Sequence, residues 1–291
     1  SFGFGLSSVL AFGSIILLLL GVNLGIDFKG GTAIGVGFAE EVSIQEVRSS
    51  LKSVSVNENL IDLSGEEIKY FGSQSDVMIK IKSLDNEPEN FGQIIINHLY
   101  ASMSEKVPAS KNDFILSLGS VSPKVGSELS GKAFWSVISA LVLILFYISV
   151  RFEFRFALGA ILALVHDVVI TLGIFSLTGF EITLSTVAAF LTIVGYSLND
   201  TIVILDRIRE NMKSSGTVMF ESTINKSINQ SLSRTLITSL TTLFVIIVLL
   251  LYGGECIRPF AFTMLVGVIV GTYSSIYIAS ALLATIYQSS K

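Results

Sequence analysis

The chain has 291 residues, of which 51% are hydrophobic and 14% are charged. Its mean hydropathy of +0.72 lies far above that of soluble domains, so the composition excludes an ordinary soluble protein and predicts a membrane protein. The formal net charge of -4 argues against a nucleic-acid partner, which requires a basic surface.

Long apolar stretches predict the number of membrane crossings, because the core of a bilayer requires about 20 mostly apolar residues per helical span. Six stretches meet this requirement: 4–24, 133–150, 156–177, 182–205, 235–252 and 260–286. We therefore predict an α-helical polytopic membrane protein with six transmembrane helices. Residues 1–24 form the first helix, and 133–291 form helices 2–6, with a cytoplasmic loop at about 207–233.

Basic residues in the short loops predict the orientation, because Lys and Arg concentrate in cytoplasmic loops. The loops after the second and fourth predicted helices are rich in Lys and Arg, whereas the opposite short loops contain only Arg258. We therefore expect both termini in the cytoplasm and 25–132 on the periplasmic side. The chain starts at Ser1 without a basic flank, so we expect a short cytoplasmic segment to precede it.

The segment 25–132 is soluble in character and alternates between strand and helix patterns. In chain order the predicted elements are a strand from Gly31, a helix over 44–54, a strand pair at 56–64 and 76–83, a helix that begins near Pro88 and a strand from Phe114. This β-α-β-β-α-β order predicts a ferredoxin-like α+β domain between helices 1 and 2. That fold by itself indicates no function.

Several kinds of chemistry are excluded by the residues that are present. The single Cys256 cannot form an internal disulfide, and two histidines with one cysteine give no zinc-binding spacing. The sequence contains no phosphate-binding loop, no nucleophile elbow and no HExxH motif. We therefore predict no enzyme, no metal and no bound cofactor, and any energy coupling requires a source other than ATP.

Ionisable residues within the predicted helices are concentrated in two of them. The third helix contains His166 and Asp167, and the fourth contains Asn199 followed by Asp200. A charge near the centre of a membrane helix costs about 2.5–3.5 kcal/mol, so it should face protein or water and find a partner. These side chains are therefore candidates for ion coupling.

We predict Arg234, at the start of the fifth helix, as the partner of Asp200. Ser197 and Tyr196 lie on neighbouring helical rows, so we expect them to orient the carboxylate of Asp200. A hydroxyl-bearing face suited to a water chain continues along the fifth helix through Thr238, Thr241 and Thr242. Protonation of Asp200 would release Arg234 and give the helix pair two states.

Packing roles are the alternative for each of these groups. An Asp–Arg pair can simply fix two transmembrane helices together, Asn199 can act as a polar link between helices, and the same applies to His166 and Asp167. Small residues that recur every four positions in the sixth helix indicate a close-packing face rather than a cofactor site. They are Thr263, Gly267, Gly271 and Ser275.

Five stretches carry long motifs, which are GIDFKGG, FALGAILALVHDVVITLGIFSLTGFE, VGYSLNDTIVILDRIREN, INQSLSRTLITSLTTL and GVIVGTYSSIYIAS. Together and in this order they resemble the SecF subunits of the SecD/SecF family of bacterial protein-export membrane proteins. The resemblance covers nearly all of the membrane part and the entry to the soluble segment. Residues 33–121 carry little signature of their own.

The resemblance implies an auxiliary subunit of the Sec translocase, with a resistance-nodulation-division type of membrane fold, in the bacterial inner membrane. The implied partners are SecD, the SecYEG translocon, YajC, YidC, an unfolded secreted polypeptide and membrane lipid. With SecD, such a subunit would use the proton or sodium motive force to draw exported chains outward.

Site residues also follow from the resemblance. Asp200 and Arg234 match the essential Asp and Arg of the family. Asp27, Gly30 and Gly31 occupy the first signature of the family, where they act either as a hinge or as tight-turn glycines beside an Asp cap.

Two other functions stay open. A small-molecule or lipid exporter of the same superfamily would have a second large outer region, whereas here only about GGECIRP joins the last two helices. Alternatively, the chain is a non-conducting scaffold while SecD carries the ions.

Overall fold

The computed structural model of the chain describes residues 2–56, 59–84, 87–151, 154–215, 220–254 and 257–288. Two compact units divide the chain: a helical unit, Ser1–Asn23 with Ala133–Lys291, and a sheet unit, Leu24–Lys132. Cys256 lies outside the described residues.

The described elements comprise eleven helices and six strands. The helices are α1 (Phe2–Leu19), α2 (Ile26–Lys29), α3 (Ile44–Ser50), α4 (Phe91–Ser102), α5 (Lys111–Phe114), α6 (Pro123–Arg151), α7 (Phe154–Leu177), α8 (Leu184–Ser215), α9 (Phe220–Tyr252), α10 (Arg258–Ser274) and α11 (Ser280–Gln288). The strands are β1 (Gly31–Gly37), β2 (Val54–Val56), β3 (Asn59–Ile61), β4 (Glu67–Phe71), β5 (Ser73–Lys82) and β6 (Ile115–Val121). A 3-10 turn, Leu51–Ser53, follows α3, and a π-helical turn, Ser275–Ala279, joins α10 to α11.

Five helical segments are long and apolar enough to cross a membrane, so the chain is a multi-pass membrane protein. They lie in α6, α7, α8, α9 and the α10–α11 segment, and α1 contributes a shorter apolar helix, Ser7–Leu19. The first predicted span, 4–24, ends early because Gly21 has a φ of 109°, which a right-handed helix does not allow.

Helices α8 and α9 continue well beyond their apolar segments. Much of the predicted loop 207–233 is therefore helical, with α8 reaching Ser215 and α9 beginning at Phe220. An apolar face explains the extension, because Leu205 and Ile208 of α8 are fully buried in one cluster with Ile224 of α9.

The sheet unit is built on a four-stranded antiparallel sheet with the order β4-β5-β1-β6. Apolar side chains of β1 and β5 alternate onto one face, where Ile34 lies opposite Ile79 in the register. Both residues are fully buried, together with Ile95 and Leu99 of α4 and Val47 of α3. These contacts form the core of the sheet unit.

The predicted pairing of 56–64 with 76–83 is wrong. Strand β5 pairs with β4 and β1, whereas β3 pairs with β2 in a separate two-stranded sheet. The cause is local, because Gly72 has a φ of 93° and allows a tight turn that folds β4 directly onto β5. Alternation alone identifies a strand but not its partner.

A capping box starts α3 in the sheet unit. The backbone N–H of Glu46 donates to Ser43 Oγ, and the N–H of Ser43 donates to the Glu46 carboxylate. Lys106 also reaches this carboxylate, with Nζ 2.8 Å from Oε1. The hydrogen bond from Lys106 and those at the cap lower the pKa of Glu46.

We expect Ile79→Ala to destabilise the sheet unit by about 2–5 kcal/mol, because it leaves a cavity under the central strands. Thermal unfolding in detergent, followed through hydrogen exchange of the β1 and β5 amides, measures the loss. The matched control is Leu60→Ala, since Leu60 is 75% exposed and its truncation should cost less than about 0.5 kcal/mol. Equal effects of the two substitutions would contradict this account of the core.

Candidate functional site

Asp167 is a completely buried carboxylate that joins three helices of the helical unit. It lies on α7, and its Oδ2 accepts hydrogen bonds from Ser197 Oγ of α8 at 2.5 Å and from Ser274 Oγ of α10 at 2.6 Å. Its Oδ1 lies 2.9 Å from Nδ1 of His166. Both carboxylate oxygens therefore have close hydrogen-bonding partners, as a buried carboxylate requires.

Asp200 is the second buried carboxylate, with 3% of its surface exposed on α8. Ser239 Oγ of α9 donates to Asp200 Oδ2 over 3.3 Å. The same hydroxyl lies 2.7 Å from Thr272 Oγ1 of α10. Asp200 is therefore held by a longer and weaker hydrogen bond than those around Asp167.

The expected partners of Asp200 on its own helix are engaged elsewhere. Ser197 bonds Asp167, and the Tyr196 hydroxyl donates to Thr242 Oγ1 over 3.2 Å, so the prediction that they orient Asp200 is wrong. A separation of three or four residues leaves side chains at different angles around a helix. Ser197 can therefore face α7 and α10 while Asp200 faces α9.

Arg234 is exposed and does not contact Asp200 directly. Across the described part of the chain, no ion pair within 4.0 Å involves Arg234. Its positive charge nevertheless acts on Asp200 over a longer distance. Asn199, beside Asp200, is exposed as well. The predicted direct pair is therefore replaced by a buried carboxylate below a polar surface that carries a cation.

The predicted hydroxyl stripe on α9 bonds to its own helix. The hydroxyls of Thr238, Thr241 and Thr242 each donate to a carbonyl three or four residues earlier. Hydroxyls bonded in this way are less available to a water chain. Thr235 Oγ1, in contrast, is buried and has no hydrogen-bond partner among the described residues.

Two glycines let α10 lie directly against α8. A Cβ on Gly267 would be 2.2 Å from Ile193 Cδ1, and one on Gly271 would be 3.0 Å from Ser197 Cβ. Small residues allow such close approach between membrane helices. This contact brings Thr272 and Ser274 within reach of the two carboxylate sites.

No pattern in the sequence predicts the π-helical turn that starts directly after Ser274. Such turns inside α-helices are frequent at functional sites. Ser239, Thr272 and Ser274 were also missed, because hydroxyl residues are common in membrane helices and only helix rotation decides where they point. The one available signal was the hydroxyl-rich run beside the repeat that contains Gly267 and Gly271.

Gly30 and Gly31 form a tightly packed junction in the sheet unit. Their φ angles are 77° and 138°, which favour glycine. A Cβ on Gly30 would be 2.8 Å from the backbone of Pro123, and one on Gly31 would be 2.5 Å from the carbonyl oxygen of Ile81. Asp27 lies in the first turn of α2, whose N-cap residue is Gly25, so Asp27 is not the cap.

A third glycine, absent from the predicted junction, completes it. A Cβ on Gly126, in the first turns of α6, would be 2.9 Å from the carbonyl oxygen of Phe28 and 3.0 Å from the nitrogen of Gly30. Backbone therefore meets backbone where α2 and β1 cross α6. Neighbouring Ser122 supports the helix start, because its hydroxyl accepts from the N–H of Val125 over 3.4 Å.

We expect Gly126→Ala to destabilise the sheet unit by roughly 1–3 kcal/mol, because the added methyl group meets backbone that cannot move aside. Urea unfolding followed by limited proteolysis measures the change. In the control Gly131→Ala the new Cβ meets nothing within 4 Å on the same helix, so stability should be unchanged or slightly higher. A harmless Gly126→Ala would show that the contact is not tight.

Two family models match the sequence, and together they include every candidate site residue. The SecD/SecF GG Motif matches residues 15–42, and Protein export membrane protein SecD/SecF, C-terminal, matches residues 102–289. The protein translocase subunit SecF of Calditerrivibrio nitroreducens is 45% identical over 284 residues, which cover 96% of this chain and 89% of that protein. The subunit of Escherichia coli O157:H7 is 40% identical over 280 residues, covering 96% and 83%.

A solved structure is also similar to the whole chain. The crystal structure of SecDF, a translocon-associated membrane protein from Thermus thermophilus, matches with a TM-score of 0.82 and 38% sequence identity over 98% of this chain. The chain spans only 37% of that longer polypeptide.

Proposed function

The chain belongs to the SecD/SecF family and serves as an auxiliary subunit in Sec protein export, and we propose that it couples a proton or sodium gradient to late steps of that export. No bound cofactor takes part, and the coupling ion is exchanged at Asp200. Asp200 and Arg234 together form the coupling site.

The main support for this proposal is that the carboxylate of Asp200 is buried but held only by weak hydrogen bonds. The hydrogen bond that Ser239 donates to it spans 3.3 Å, the exposed side chain of Asn199 is its other hydrogen-bonding partner, and Arg234 acts on it only from a distance. Asn199, the preceding residue, is exposed, so the carboxylate lies just below a polar surface. A carboxylate with few partners and nearby access can gain and lose a cation more readily than one whose oxygens are saturated.

The gradient is large enough to move such a site between two conformations. One elementary charge that crosses the membrane potential contributes about 2.3 kcal/mol per 100 mV. Conformational states of a protein typically differ by a few kcal/mol. A single cation per cycle can therefore shift the packing of α8 against α9, since Ser239 and Asp200 bond across those helices.

SecD is the partner that we propose for the exposed polar surface. Asn199 and Arg234 are both exposed in this chain, and a cation exposed to lipid is costly. Neighbouring side chains of α9, among them Ile237 and Phe244, are also strongly exposed. We infer that a SecD helix with a hydrogen-bond acceptor covers this surface. The SecYEG translocon, YajC, YidC and the unfolded secreted polypeptide are further partners in the proposal.

The finer architecture is part of the same proposal. We infer that α1 is a sixth membrane helix, because Gly173 of α7 packs against it so closely that a Cβ would be 2.3 Å from that of Ser14. The sheet order β4-β5-β1-β6 supports a ferredoxin-like domain, which we infer is periplasmic. Both termini are then cytoplasmic, in the bacterial inner membrane. Asp27, Gly30 and Gly31 form the point at which movement enters this domain.

An exporter is the less favoured function. Only 253–257 separates the end of α9 from the start of α10, which leaves no room there for a second outer domain. A scaffold without ion flux is the other alternative, and the assay below separates it from the proposal.

We expect Asp200→Asn to abolish both cation uptake and release of a secreted protein in vesicles that contain the reconstituted SecD–SecF complex, because a neutral amide cannot exchange the ion. Arg234→Met should cause a loss of about tenfold or more, since it removes the cation that acts on Asp200. Uptake and release are measured on the same vesicles, once with a proton gradient and once with a sodium gradient.

The control is Asp206→Asn, which removes an exposed carboxylate from the same helix and should leave both readouts unchanged. Normal uptake and release in Asp200→Asn vesicles would refute ion coupling at this residue and support the scaffold.

A further inference from the structure

We propose that Asp167 is a positioning residue, which with Ser197 and Ser274 fixes α8 against α7 and α10 and thereby sets the position of Asp200. Asp167 does not carry the coupling ion in this proposal. The inference rests on the proposed ion exchange at Asp200 and assigns a separate role to the other buried carboxylate.

The contacts of Asp167 leave its carboxylate poorly accessible to an exchanging cation. The residue is 0% exposed, and its partners are side chains of three different helices. Its hydroxyl contacts of 2.5 and 2.6 Å are in the range of the strongest hydrogen bonds in proteins. The one partner of Asp167 that is itself partly exposed is the ring of His166, at 11%, whereas Asp200 lies beside the exposed Asn199.

The two carboxylate sites share the same pair of helices. On α8, Ser197 lies one turn before Asp200, so fixing one residue limits where the other can point. On α10, Ser274 lies two residues after Thr272, whose hydroxyl meets Ser239. The hydrogen bonds of Asp167 therefore fix α8, which carries Asp200, and α10, whose Thr272 contacts Ser239.

Helices α8 and α10 pack closely around the hydrogen bonds of Asp167. Gly271 contacts Ser197 directly, and Gly267 contacts Ile193 one turn away. The π-helical turn begins right after Ser274, so the local winding of the helix changes next to the residue that bonds Asp167. Ser239 of α9 contacts Thr272 of α10, so a displacement of α8 relative to these two helices would lengthen the 3.3 Å bond that Ser239 donates to Asp200.

Two substitutions of the same residue separate positioning from ion carrying. Asp167→Asn keeps an oxygen that can accept from Ser197 and Ser274, and its amide can face Nδ1 of His166, so positioning is preserved without the charge. Asp167→Ala removes all three hydrogen bonds. If Asp167 carried the ion, both substitutions would abolish uptake.

The test uses the reconstituted SecD–SecF complex in vesicles and measures cation uptake against cation concentration. We expect Asp167→Asn to retain uptake, with the half-maximal concentration changed by less than about twofold. Asp167→Ala should shift that concentration or reduce uptake by about tenfold or more, because Asp200 is displaced. Ser197→Ala and Ser274→Ala each remove one bond and should produce smaller shifts in the same direction, which keeps the test valid if Asp167→Ala does not assemble with SecD.

The matched control is Thr171→Val on α7, one turn after Asp167. Thr171 is fully buried, and its hydroxyl has no hydrogen-bond partner among the described residues. Its substitution should leave the half-maximal cation concentration unchanged, although it also alters a buried polar group of the same helix.

The outcomes separate this inference from the proposed function. Loss of uptake in both Asp167→Asn and Asp200→Asn would overturn the positioning role and make Asp167 an ion carrier. Wild-type uptake in Asp167→Ala, Ser197→Ala and Ser274→Ala would overturn it as well. Retained uptake in Asp200→Asn would overturn the coupling proposal, and this inference with it.

Discussion

The close contact of α8 with α10 is the constraint on which the polar interior of the helical unit depends. Inside a membrane no hydrophobic force draws helices together, so packing and hydrogen bonds must hold them. Gly267 and Gly271 remove the side chains that would keep the two backbones apart. At that separation Ser197 of α8 and Ser274 of α10 can both donate to the same carboxylate oxygen of Asp167. The glycines and the buried carboxylate therefore support each other.

The two buried carboxylates differ in how completely they are satisfied. Asp167 has close partners on both oxygens, whereas Asp200 has a long bond from Ser239, the exposed Asn199 side chain and a distant cation, Arg234. Rigidity and exchange place opposite demands on a buried charge, because every added hydrogen bond makes release of that group harder. With two buried carboxylates, one can hold the helices in place while the other exchanges the cation.

Part of this picture could be predicted from the sequence. Because charges are rare in membrane helices, the sequence identifies Asp167, Asp200 and Arg234 as candidate site residues. It does not identify their partners, because side-chain direction depends on helix rotation, which the motifs do not encode. The strand pairing failed for a related reason, since Gly72 decides which strands fold together and alternation cannot identify it. Gly126 was hidden because its importance arises from a contact with residues about a hundred positions earlier.

The glycine contacts at the start of α6 have a mechanical consequence. This helix has 29 residues, which gives a rod of about 44 Å. Its first turn lies against the backbone of Phe28 and Gly30, so the helix cannot shift sideways there without losing these contacts. The absence of side chains at Gly30 and Gly126 therefore sets the direction in which α6 begins, and a small change of angle there becomes a larger displacement further along the helix.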